Sequence, residues 1–369
     1  MRVLAFETWD DGSHRSVRES IERHGAHDWT WITLPGRAWA WRMRLGAAEA
    51  LAALESRRKA EPERFAEPFD AVVATSLVSL GDLRSGLGPT YVKLGAPFVL
   101  YMHENQVVYP LAEDAAETSR QDVQPAVTNL TSVLAADRVL WNSAWNRDSF
   151  VAGLRRILRH APSATRAAVD LDAIHGQGTI AWPPLSEPPA DLNDKRADSG
   201  DVTRIVWPHR WEHDKDPAAL LDAMRSLPQD GSVRWVILGS DPQDGDPRRL
   251  AMHEEFGAII DHDGYEPDRA VYWRRLAACD WVLSTARHEF FGVAVAEALR
   301  AGCLPWVPDR LSYPELLPDP SWAGEMSPHA PPEDPTRVRA AIRAHLHDAE
   351  APVAVRRIEA LIEEIVPGS

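Results

Sequence analysis

The chain has 369 residues and a formal net charge of −15, and its 44% of hydrophobic residues form no apolar run near the roughly twenty residues of a membrane span. This length suffices for two domains. The acidic balance argues against a surface that is basic throughout and binds nucleic acid generally, but it permits a local basic face. Cys279 and Cys303 lie in apolar settings, from which we expect buried free thiols, a cytoplasmic location and no membrane contact.

The first half alternates short apolar runs with amphipathic stretches, a pattern typical of a parallel α/β sheet. Strands are predicted at Val3–Phe6, Thr30–Leu34, Ala71–Thr75, Pro97–Met102 and Arg138–Trp141. Helices are predicted at Arg15–His24, Arg44–Lys59, Val123–Ala135 and Ala144–Leu158. A proline-rich and then charged stretch follows, so we predict a first Rossmann-like domain over 1–185 and a linker over 186–201.

The same pattern restarts after the linker. Strands are predicted at Arg204–Val206, Arg234–Leu238, Ala258–Ile260, Trp281–Leu283 and Leu304–Val307. We therefore predict a second doubly wound domain over 202–347 and a C-terminal helix within 348–369 that could pack back on the first domain. Two such domains imply a cleft, with ligands at the carboxyl ends of the strands.

One polar run at a strand-to-helix junction has the chemistry of a phosphate site. Trp207-Pro-His-Arg-Trp-Glu-His-Asp-Lys-Asp-Pro217 follows one predicted strand and precedes an amphipathic stretch. It carries Arg210 and Lys215, two cations five residues apart, beside backbone N–H groups that a starting helix leaves unpaired. The run predicts a diphosphate clamp.

A second run follows the predicted strand Trp281–Leu283. Glu289 precedes Phe291-Gly292-Val293, where a helix is predicted to begin, and Glu297 lies within that helix. The N–H groups of Gly292 and Val293 would then face an anion. Two carboxylates eight residues apart could be plain surface groups, but the preceding strand and the Phe-Gly pair favour a ligand site.

Two shorter motifs follow strands in the first domain. His103-Glu104-Asn105-Gln106 comes after Pro97–Met102, and Gly12-Ser13-His14 comes after the first strand. Asn105 and Gln106 offer neutral donors and acceptors for hydroxyl groups. Gly12 permits close approach of a ligand, and Ser13 is a candidate N-cap. The alternatives are a structural histidine and a simply capped helix start.

Trp39 and Trp41 are predicted to lie in a loop that also carries Arg37, Arg42 and Arg44. Flat rings interleaved with guanidinium groups are suited to stacking on an unpaired base and pairing with phosphates. Packing of the two rings between helices is the competing interpretation.

These motifs resemble those of a known family. Arg210, Lys215 and Glu289-x7-Glu297 around Phe291-Gly292 resemble the donor site of retaining glycosyltransferases of the GT-B fold, family 4 type. A longer set of motifs resembles the tRNA-queuosine mannosyltransferases, from the first strand to about Leu317. This set includes Gly12-Ser13-His14, Leu34-Pro35-x-x-x-Trp39-x-Trp41-Arg42 and the run from His103 to Gln106. This chain has a short linker where animal members carry a long insert.

The resemblance implies transfer of mannose from GDP-mannose to the cyclopentenediol of queuosine at the tRNA wobble position, with retained configuration and no metal. It assigns Glu289 and His103 to the donor sugar and Glu297 to the ribose. It assigns the contacts with the diphosphate to Arg210, Lys215 and the amides near Gly292. Gly12, Ser13 and His14 are expected to lie beside the diphosphate. Acceptor contacts are assigned to Trp39, Trp41, Arg42, Glu104, Asn105 and Gln106.

Two alternatives stay open at this point. One is a GT-B enzyme with a glycan, lipid or small metabolite as acceptor. The other is a non-catalytic binding protein for nucleotide sugar or RNA, against which the full set of polar site residues argues. The loops Gly239–Gly245 and Gly264–Asp268, where the donor base is expected to bind, contain no residue that decides its identity, and the oligomeric state is open.

Overall fold

The structure is a computed structural model that describes residues 1–108, 123–192, 202–240 and 246–367. The chain divides into two compact units, which we call unit 1 (Met1–Leu185 with Ala349–Ser369) and unit 2 (Ser186–Asp348). Of the predicted linker, residues 186–192 belong to unit 2, and residues 193–201 lie outside the described part of the chain.

Unit 1 is built on a parallel sheet whose described strands follow the order β2-β1-β3-β4-β5-β6. The strands are β1 (Arg2–Asp10), β2 (Asp28–Pro35), β3 (Ala71–Thr75), β4 (Phe98–Met102), β5 (Arg138–Trp141) and β6 (Thr179–Ile180). The helices in chain order are α1 (Gly12–His24), α2 (Trp39–Ala60), α3 (Leu80–Gly86), α4 (Gln124–Ala135), α5 (Ala144–Leu158), α6 (Ser163–Ala167) and α7 (Leu171–Gln177), with a 3-10 turn at Pro62–Phe65.

Both faces of this sheet are buried, as its apolar strands require. Leu4 and Phe6 of β1 belong to the hydrophobic core on one face, while Val3 and Ala5 belong to the core on the other. This division follows from the alternation of side chains along a strand. Groups that contact a ligand directly are therefore expected beyond the ends of the strands, not on the faces of the sheet.

The last helix of the chain, Ala351–Glu363, closes the second face of unit 1 with Val355, Ile358 and Leu361. Its buried carboxylate, Glu359, accepts hydrogen bonds from the backbone N–H groups of Ala26 (2.9 Å) and His27 (3.0 Å) and from Trp29 Nε1 (2.9 Å). Three donors satisfy this buried side chain and fix the helix to the loop before β2.

Unit 2 has a parallel sheet with described strands in the order β11-β10-β7-β8-β9. The strands are β7 (Thr203–Trp207), β8 (Val233–Ile237), β9 (Ile260–Asp263), β10 (Trp281–Leu283) and β11 (Leu304–Trp306). The helices are α8 (Pro217–Arg225), α9 (Pro247–Phe256), α10 (Arg269–Ala277), α11 (Val293–Ala301) and α12 (Pro335–His345), and the unit 1 helix Ala351–Glu363 becomes α13. Short helical turns lie at His213–Lys215, Gly257–Ile259, Tyr313–Leu316, Trp322–Glu325 and Leu346–Ala349.

The prediction of two doubly wound α/β domains is confirmed, and most predicted strands match within one or two residues. The predicted strand Ala258–Ile260 is wrong, because Gly257–Ile259 forms a 3-10 turn and β9 begins at Ile260. The sequence of β9 is Ile-Asp-His-Asp, and β9 lies at the edge of its sheet. An edge strand needs no continuous apolar run, so the sequence pattern did not reveal it.

Two helix starts also differ from prediction. α2 begins at Trp39, so Trp39 and Trp41 lie on a helix and not in a loop. α1 begins at Gly12 with Asp11 as its N-cap residue, so Ser13 lies inside the helix and does not cap it. Among the described helices, none combines the length and the apolar character that a bilayer crossing requires.

Candidate active site

The topology of unit 2 brings the two main sequence motifs together. β7 and β10 are paired in parallel, so the segments that follow Trp207 and Leu283 leave the sheet at the same edge. The first segment carries the Arg210–Lys215 run, and the second carries Glu289. The carboxyl edge of a parallel sheet is where ligands of this architecture bind.

Lys215 lies at the centre of this edge with only 12% of its side chain exposed. Its Nζ donates to His288 O (2.9 Å) and Glu289 Oε2 (3.2 Å), and it lies 3.1 Å from Asp214 Oδ2. The backbone of this turn is tied to the second segment, since Asp214 O accepts from the N–H groups of Arg287 (2.8 Å) and His288 (3.2 Å). These contacts fix the lysine between two carboxylates.

Asp214 is a site residue that the sequence prediction missed. It is buried, and its Oδ1 has no hydrogen-bond partner among the described residues. An unsatisfied buried carboxylate oxygen is costly unless a ligand or water completes it. The available signal was its position directly before Lys215, within the polar run that follows a predicted strand.

The charges of this cluster stabilise one another. Burial raises the pKa of Glu289, but the Lys215 cation outweighs it, and the result is a pKa lowered to about 2. Burial likewise opposes the charge of Lys215, but Glu289 and Asp214 outweigh it and raise the pKa of that ammonium. Near neutral pH the site therefore holds the Lys215 cation beside the ionised Glu289 carboxylate.

A second layer of hydrogen bonds holds the turn. His209 Nε2 lies 2.9 Å from Ser284 Oγ, which donates to Tyr313 Oη at 2.6 Å. Thr285 Oγ1 donates to Lys215 O at 2.6 Å and accepts from Trp207 Nε1 at 2.9 Å. Burial, followed by the nearby Lys215 charge, lowers the pKa of His209 to about 3, so this histidine is a neutral structural partner.

Arg210 differs from Lys215 in exposure. More than half of its side chain (56%) is open to solvent, and its Nη2 lies 3.0 Å from Glu212 Oε2. An exposed ion pair of this kind contributes little to folding. The guanidinium can therefore turn towards an anionic ligand at small cost.

The helix start predicted near Gly292 is observed, because α11 begins at Val293 with Gly292 as its N-cap. Gly292 has φ +86°, and an added Cβ would lie 3.1 Å from Tyr313 Cε1. The first N–H groups of α11, beginning at Val293, have no acceptor within the helix. Phe291, which the resemblance includes in the nucleotide-sugar site, has its side chain buried in the core, so that side chain packs within the fold.

Glu297 is buried on α11 and already has protein partners. Its Oε1 accepts from Arg269 Nη2 at 2.6 Å and from Ser186 Oγ. Arg269 in turn lies over the ring of Tyr272, 4.4 Å from its centroid. Arg269 was also missed, and nothing in its sequence context points to Glu297, 28 residues further along the chain.

In unit 1 the structure brings together the two predicted histidines. His14 lies in the first turn of α1 and His103 directly follows β4, yet their ring centroids are 4.8 Å apart. The His103 ring also contacts Tyr101, with centroids 4.2 Å apart. Nothing lies within 4 Å of a Cβ built on Gly12, so the backbone there faces open space.

Glu7 is a third member of this cluster that the sequence prediction missed. It is almost wholly buried, and its Oε2 lies 3.1 Å from His14 Nδ1. Its Oε1 accepts from Trp9 N (2.8 Å) and from Thr75 Oγ1 (3.0 Å). A single carboxylate at the end of the apolar run Val3-Leu-Ala-Phe6 was the signal that could have found it.

The two histidines differ in charge. Burial lowers the pKa of His14, but Glu7 outweighs it and the pKa is raised. Burial, followed by the proximity of His14, lowers the pKa of His103 well below its usual value. His103 is therefore neutral, and its buried Nε2 has no partner among the described residues.

The motif after His103 divides into structural and accessible residues. Asn105 is fully buried, donating to Asn146 Oδ1 (2.8 Å) and accepting from the N–H groups of Val107 and Val108 (both 3.2 Å). Its assignment to the acceptor is corrected, because its amide is used inside the fold. Glu104 and Gln106 are partly exposed and bonded to each other, with Gln106 Nε2 3.2 Å from Glu104 Oε1.

The aromatic and basic residues of α2 also separate. Trp41 is 61% exposed and Trp39 is 40% exposed, so neither ring is buried between helices. Arg42 is buried between Glu49 and Pro35 O, so its proposed acceptor contact is corrected to a structural role. Within the described ranges, no group of three His, Cys, Asp or Glu residues is placed to hold a metal ion.

Comparison with known proteins decides the family. Residues 2–184 match the model of the family described as tRNA-queuosine alpha-mannosyltransferase N-terminal, and residues 192–359 match Glycosyl transferases group 1. A Drosophila melanogaster protein named tRNA-queuosine alpha-mannosyltransferase is 31% identical over 331 residues, covering 86% of this chain and 81% of that protein. The chain belongs to the tRNA-queuosine alpha-mannosyltransferase family.

Solved structures place this family member among known folds. The trehalose-6-phosphate phosphatase N-terminal domain of Candida albicans has a TM-score of 0.66 at 11% identity, covering 99% of this chain and 97% of that one. The catalytic domain of Arabidopsis thaliana starch synthase IV has a TM-score of 0.65 at 11% identity, covering 99% of each. At such identity the likeness concerns the fold alone, and the GT-B prediction is confirmed.

Proposed function

We propose that this chain transfers mannose from GDP-mannose to the cyclopentenediol of queuosine at the wobble position of a tRNA. The observation that carries the proposal is the cluster at the carboxyl edge of the unit 2 sheet, where Lys215, Asp214 and Glu289 meet. The family of the chain supports the choice of mannose and queuosine. Guanine as the donor base rests on the resemblance of the motifs.

In the proposed reaction, the bond between the mannose anomeric carbon and the diphosphate oxygen breaks. A bond forms on the same face from a queuosine hydroxyl oxygen, and the departing phosphate oxygen takes the proton of that hydroxyl. Negative charge grows on the diphosphate as the sugar becomes oxocarbenium-like. Arg210, Lys215 and the first N–H groups of α11 bind that growing charge more strongly than the ground-state donor, which lowers the barrier.

The buried ion pairs of Lys215 suit this role. Its ammonium is held by His288 O and by the carboxylates of Asp214 and Glu289 without any ligand. A cation fixed in place before the reaction has no reorganisation to complete as charge develops, which is the main source of electrostatic catalysis. Glu289, ionised beside it, is proposed to bind a hydroxyl of the donor hexose.

For Glu297 we propose contact with the ribose hydroxyls. Its Oε1 is already held by Arg269 and Ser186, so the ribose would share this carboxylate with Arg269. The neutral His103, with its unpartnered Nε2, is proposed to hydrogen-bond the donor sugar.

For the acceptor we propose the exposed face of α2. Trp41 and Arg44 are three residues apart on this helix and both exposed, and Arg37 precedes it. Indole rings stack on unpaired bases, and guanidinium groups pair with phosphates. The accessible Glu104 and Gln106 remain proposed contacts of the queuosine hydroxyls. The proposed action on tRNA implies that the enzyme works in the cytoplasm.

In the proposed mechanism, side chains and not a metal ion neutralise the charge of the departing diphosphate. Arg210 and Lys215 lie in the segment that would face the diphosphate. We therefore expect transfer to persist in excess chelator, and a loss restored by Mg²⁺ or Mn²⁺ would contradict this assignment.

The test is mass spectrometry of nucleosides from tRNA incubated with the protein and GDP-mannose. The proposal predicts a hexose added to queuosine, and none with tRNA that carries guanosine at the wobble position. Parallel reactions with GDP-glucose and UDP-glucose test the donor. Release of GDP without hexose on queuosine would indicate another acceptor, while neither product with any donor would indicate a binding protein.

A further inference from the structure

The buried pair of Glu7 and His14 gives the imidazole a fixed orientation. Glu7 is itself held by Trp9 N and Thr75 Oγ1, so its Oε2 presents a stationary acceptor to His14 Nδ1 at 3.1 Å. Despite burial, Glu7 raises the pKa of His14, so we assign the hydrogen bond with Nδ1 as donor and the carboxylate oxygen as acceptor. The other ring nitrogen, Nε2, has no partner among the described residues, and solvent can reach it.

The surroundings of this pair point to a ligand. The neighbouring His103 has a buried Nε2 without a partner in the described part of the chain, 4.8 Å away between ring centroids. Gly12, which begins α1, faces open space. Three features therefore lie together at one edge of the sheet: the unsatisfied His103 imidazole, the solvent-facing nitrogen of His14 and the open backbone of Gly12.

We propose that Glu7 is a positioning residue that orients His14 so that the Nε2 edge of the imidazole binds a phosphate group. The chemistry of the ring explains why Glu7 matters. With Nδ1 protonated, a neutral His14 offers Nε2 as an acceptor, which a phosphate oxygen cannot use. Only the imidazolium donates from Nε2, and the carboxylate beside it favours that form.

The other charged groups around His14 fit this assignment. Asp10 of β1 and Glu104 after β4 also act to raise its pKa, after Glu7, while burial acts against them. Asp10 is itself paired with Arg18, whose Nε donates at 2.7 Å. His103 is neutral and adds no opposing charge. Glu7 is the acidic group in direct contact with the ring.

This inference rests on the proposed function for the source of the phosphate, which is either the donor diphosphate or the tRNA backbone. The probes are therefore GDP and, separately, an RNA anticodon stem-loop. Binding of each is measured by calorimetry near about pH 5.5 and about pH 7.5, on either side of the usual histidine pKa. Neither measurement requires transfer, so a failed transfer assay and a failed binding assay are distinguishable.

The test variant is Glu7→Gln, whose amide oxygen can still accept from Nδ1 but carries no charge. We expect it to weaken one of the two probes about tenfold near pH 7.5, and much less near pH 5.5, where the imidazole is protonated without help. His14→Gln should weaken the same probe at both pH values. An equal loss by Glu7→Gln at both pH values, or no loss of either probe, overturns the proposal.

The matched control is Glu359→Gln, which removes another buried, triply hydrogen-bonded carboxylate of unit 1 that does not contact His14. It should leave both affinities unchanged, and a pH-dependent loss like that of Glu7→Gln would contradict the assignment. If Glu7→Gln does not fold, NMR titration of the His14 ring in the wild-type protein decides. The bound probe should raise the His14 pKa further, and an unchanged pKa overturns the proposal.

Discussion

The Lys215 ammonium lies 3.2 Å from the Glu289 carboxylate across 74 residues of sequence. The pairing of β7 with β10 creates this relationship, because it brings the ends of the two strands to one edge of the sheet. The salt bridge is mostly buried, so each partner depends on the other for its charge. Its consequences for catalysis and for stability can be measured separately.

Lys215→Ala should reduce both activity and stability. The variant loses a fixed cation at the leaving group and leaves Asp214 and Glu289 buried without their partner. We expect transfer in single turnover to fall about a hundredfold or more, and the free energy of unfolding in urea to fall by about 3–5 kcal/mol. Lys93→Ala, which removes an exposed ion pair with Asp70, should cost under about 1 kcal/mol and leave transfer intact. Near-normal transfer by Lys215→Ala would refute the clamp.

Arg210→Ala should separate catalysis from stability. Because the guanidinium is exposed and pairs with Glu212 alone among the described carboxylates, we expect a change in unfolding free energy within about 0.5 kcal/mol. Transfer should still fall at least about tenfold, since a charge partner of the diphosphate is lost. The matched control is Arg225→Ala, which removes an exposed arginine of α8 paired with Glu255. If both variants retain full activity, Arg210 does not bind the diphosphate.

The pH dependence of stability should report the charge of Glu289. Its folded-state pKa is lowered from 4.5 to about 2, so the carboxylate stabilises the fold above its unfolded pKa and loses that contribution as the pH falls. Urea unfolding of wild type and Glu289→Gln between about pH 6 and about pH 3 should therefore show a stability gap that narrows as acid is added. A gap that stays constant would mean that Glu289 is not held ionised by Lys215.

Sequence patterning predicted the fold well where strands are wholly buried. β3, β5 and β10 were predicted with their observed bounds, because short apolar runs of β-branched and aromatic residues are typical of buried strands. The edge strand β9 was missed for lack of such a run. The start of α2 was placed five residues late, since Trp39-Ala-Trp41 does not follow a helical spacing of apolar residues.

The candidate site was predictable where residues follow strand ends. Lys215, Glu289 and His103 were found that way, and the structure places each at a carboxyl edge. Their partners were not found, because Glu7 lies within a strand and Arg269 on a separate helix. Asn105 shows the opposite error. It was predicted to contact the acceptor, but its side chain is used in hydrogen bonds that hold the following loop. Hydrogen-bond partners depend on tertiary structure, which spacing does not encode.

Gly292→Ala should damage the start of α11. Gly292 has φ +86°, a region that side chains disfavour, and its added Cβ would press on the Tyr313 ring at 3.1 Å. We expect a loss of about 1–3 kcal/mol in unfolding free energy and a GDP affinity lowered at least about tenfold, because the amides of α11 would shift. Gly231→Ala, at φ +91° with open space around it, controls for backbone strain alone. Equal GDP binding by wild type and Gly292→Ala would contradict an amide contact with the diphosphate.

Trp41→Ala should weaken RNA binding while leaving the donor site intact. The indole is 61% exposed on α2, so its removal leaves no cavity in the core. Loss of one stacked base should lower the affinity for an anticodon stem-loop by about five- to tenfold or more, measured by fluorescence anisotropy, with GDP binding unchanged. Leu94→Ala removes a fully exposed apolar side chain elsewhere in unit 1 and should change neither affinity. Because Arg37 and Arg44 are proposed to pair with phosphates, binding should also fall steeply with added salt. Unchanged RNA affinity in Trp41→Ala would move the acceptor surface away from α2.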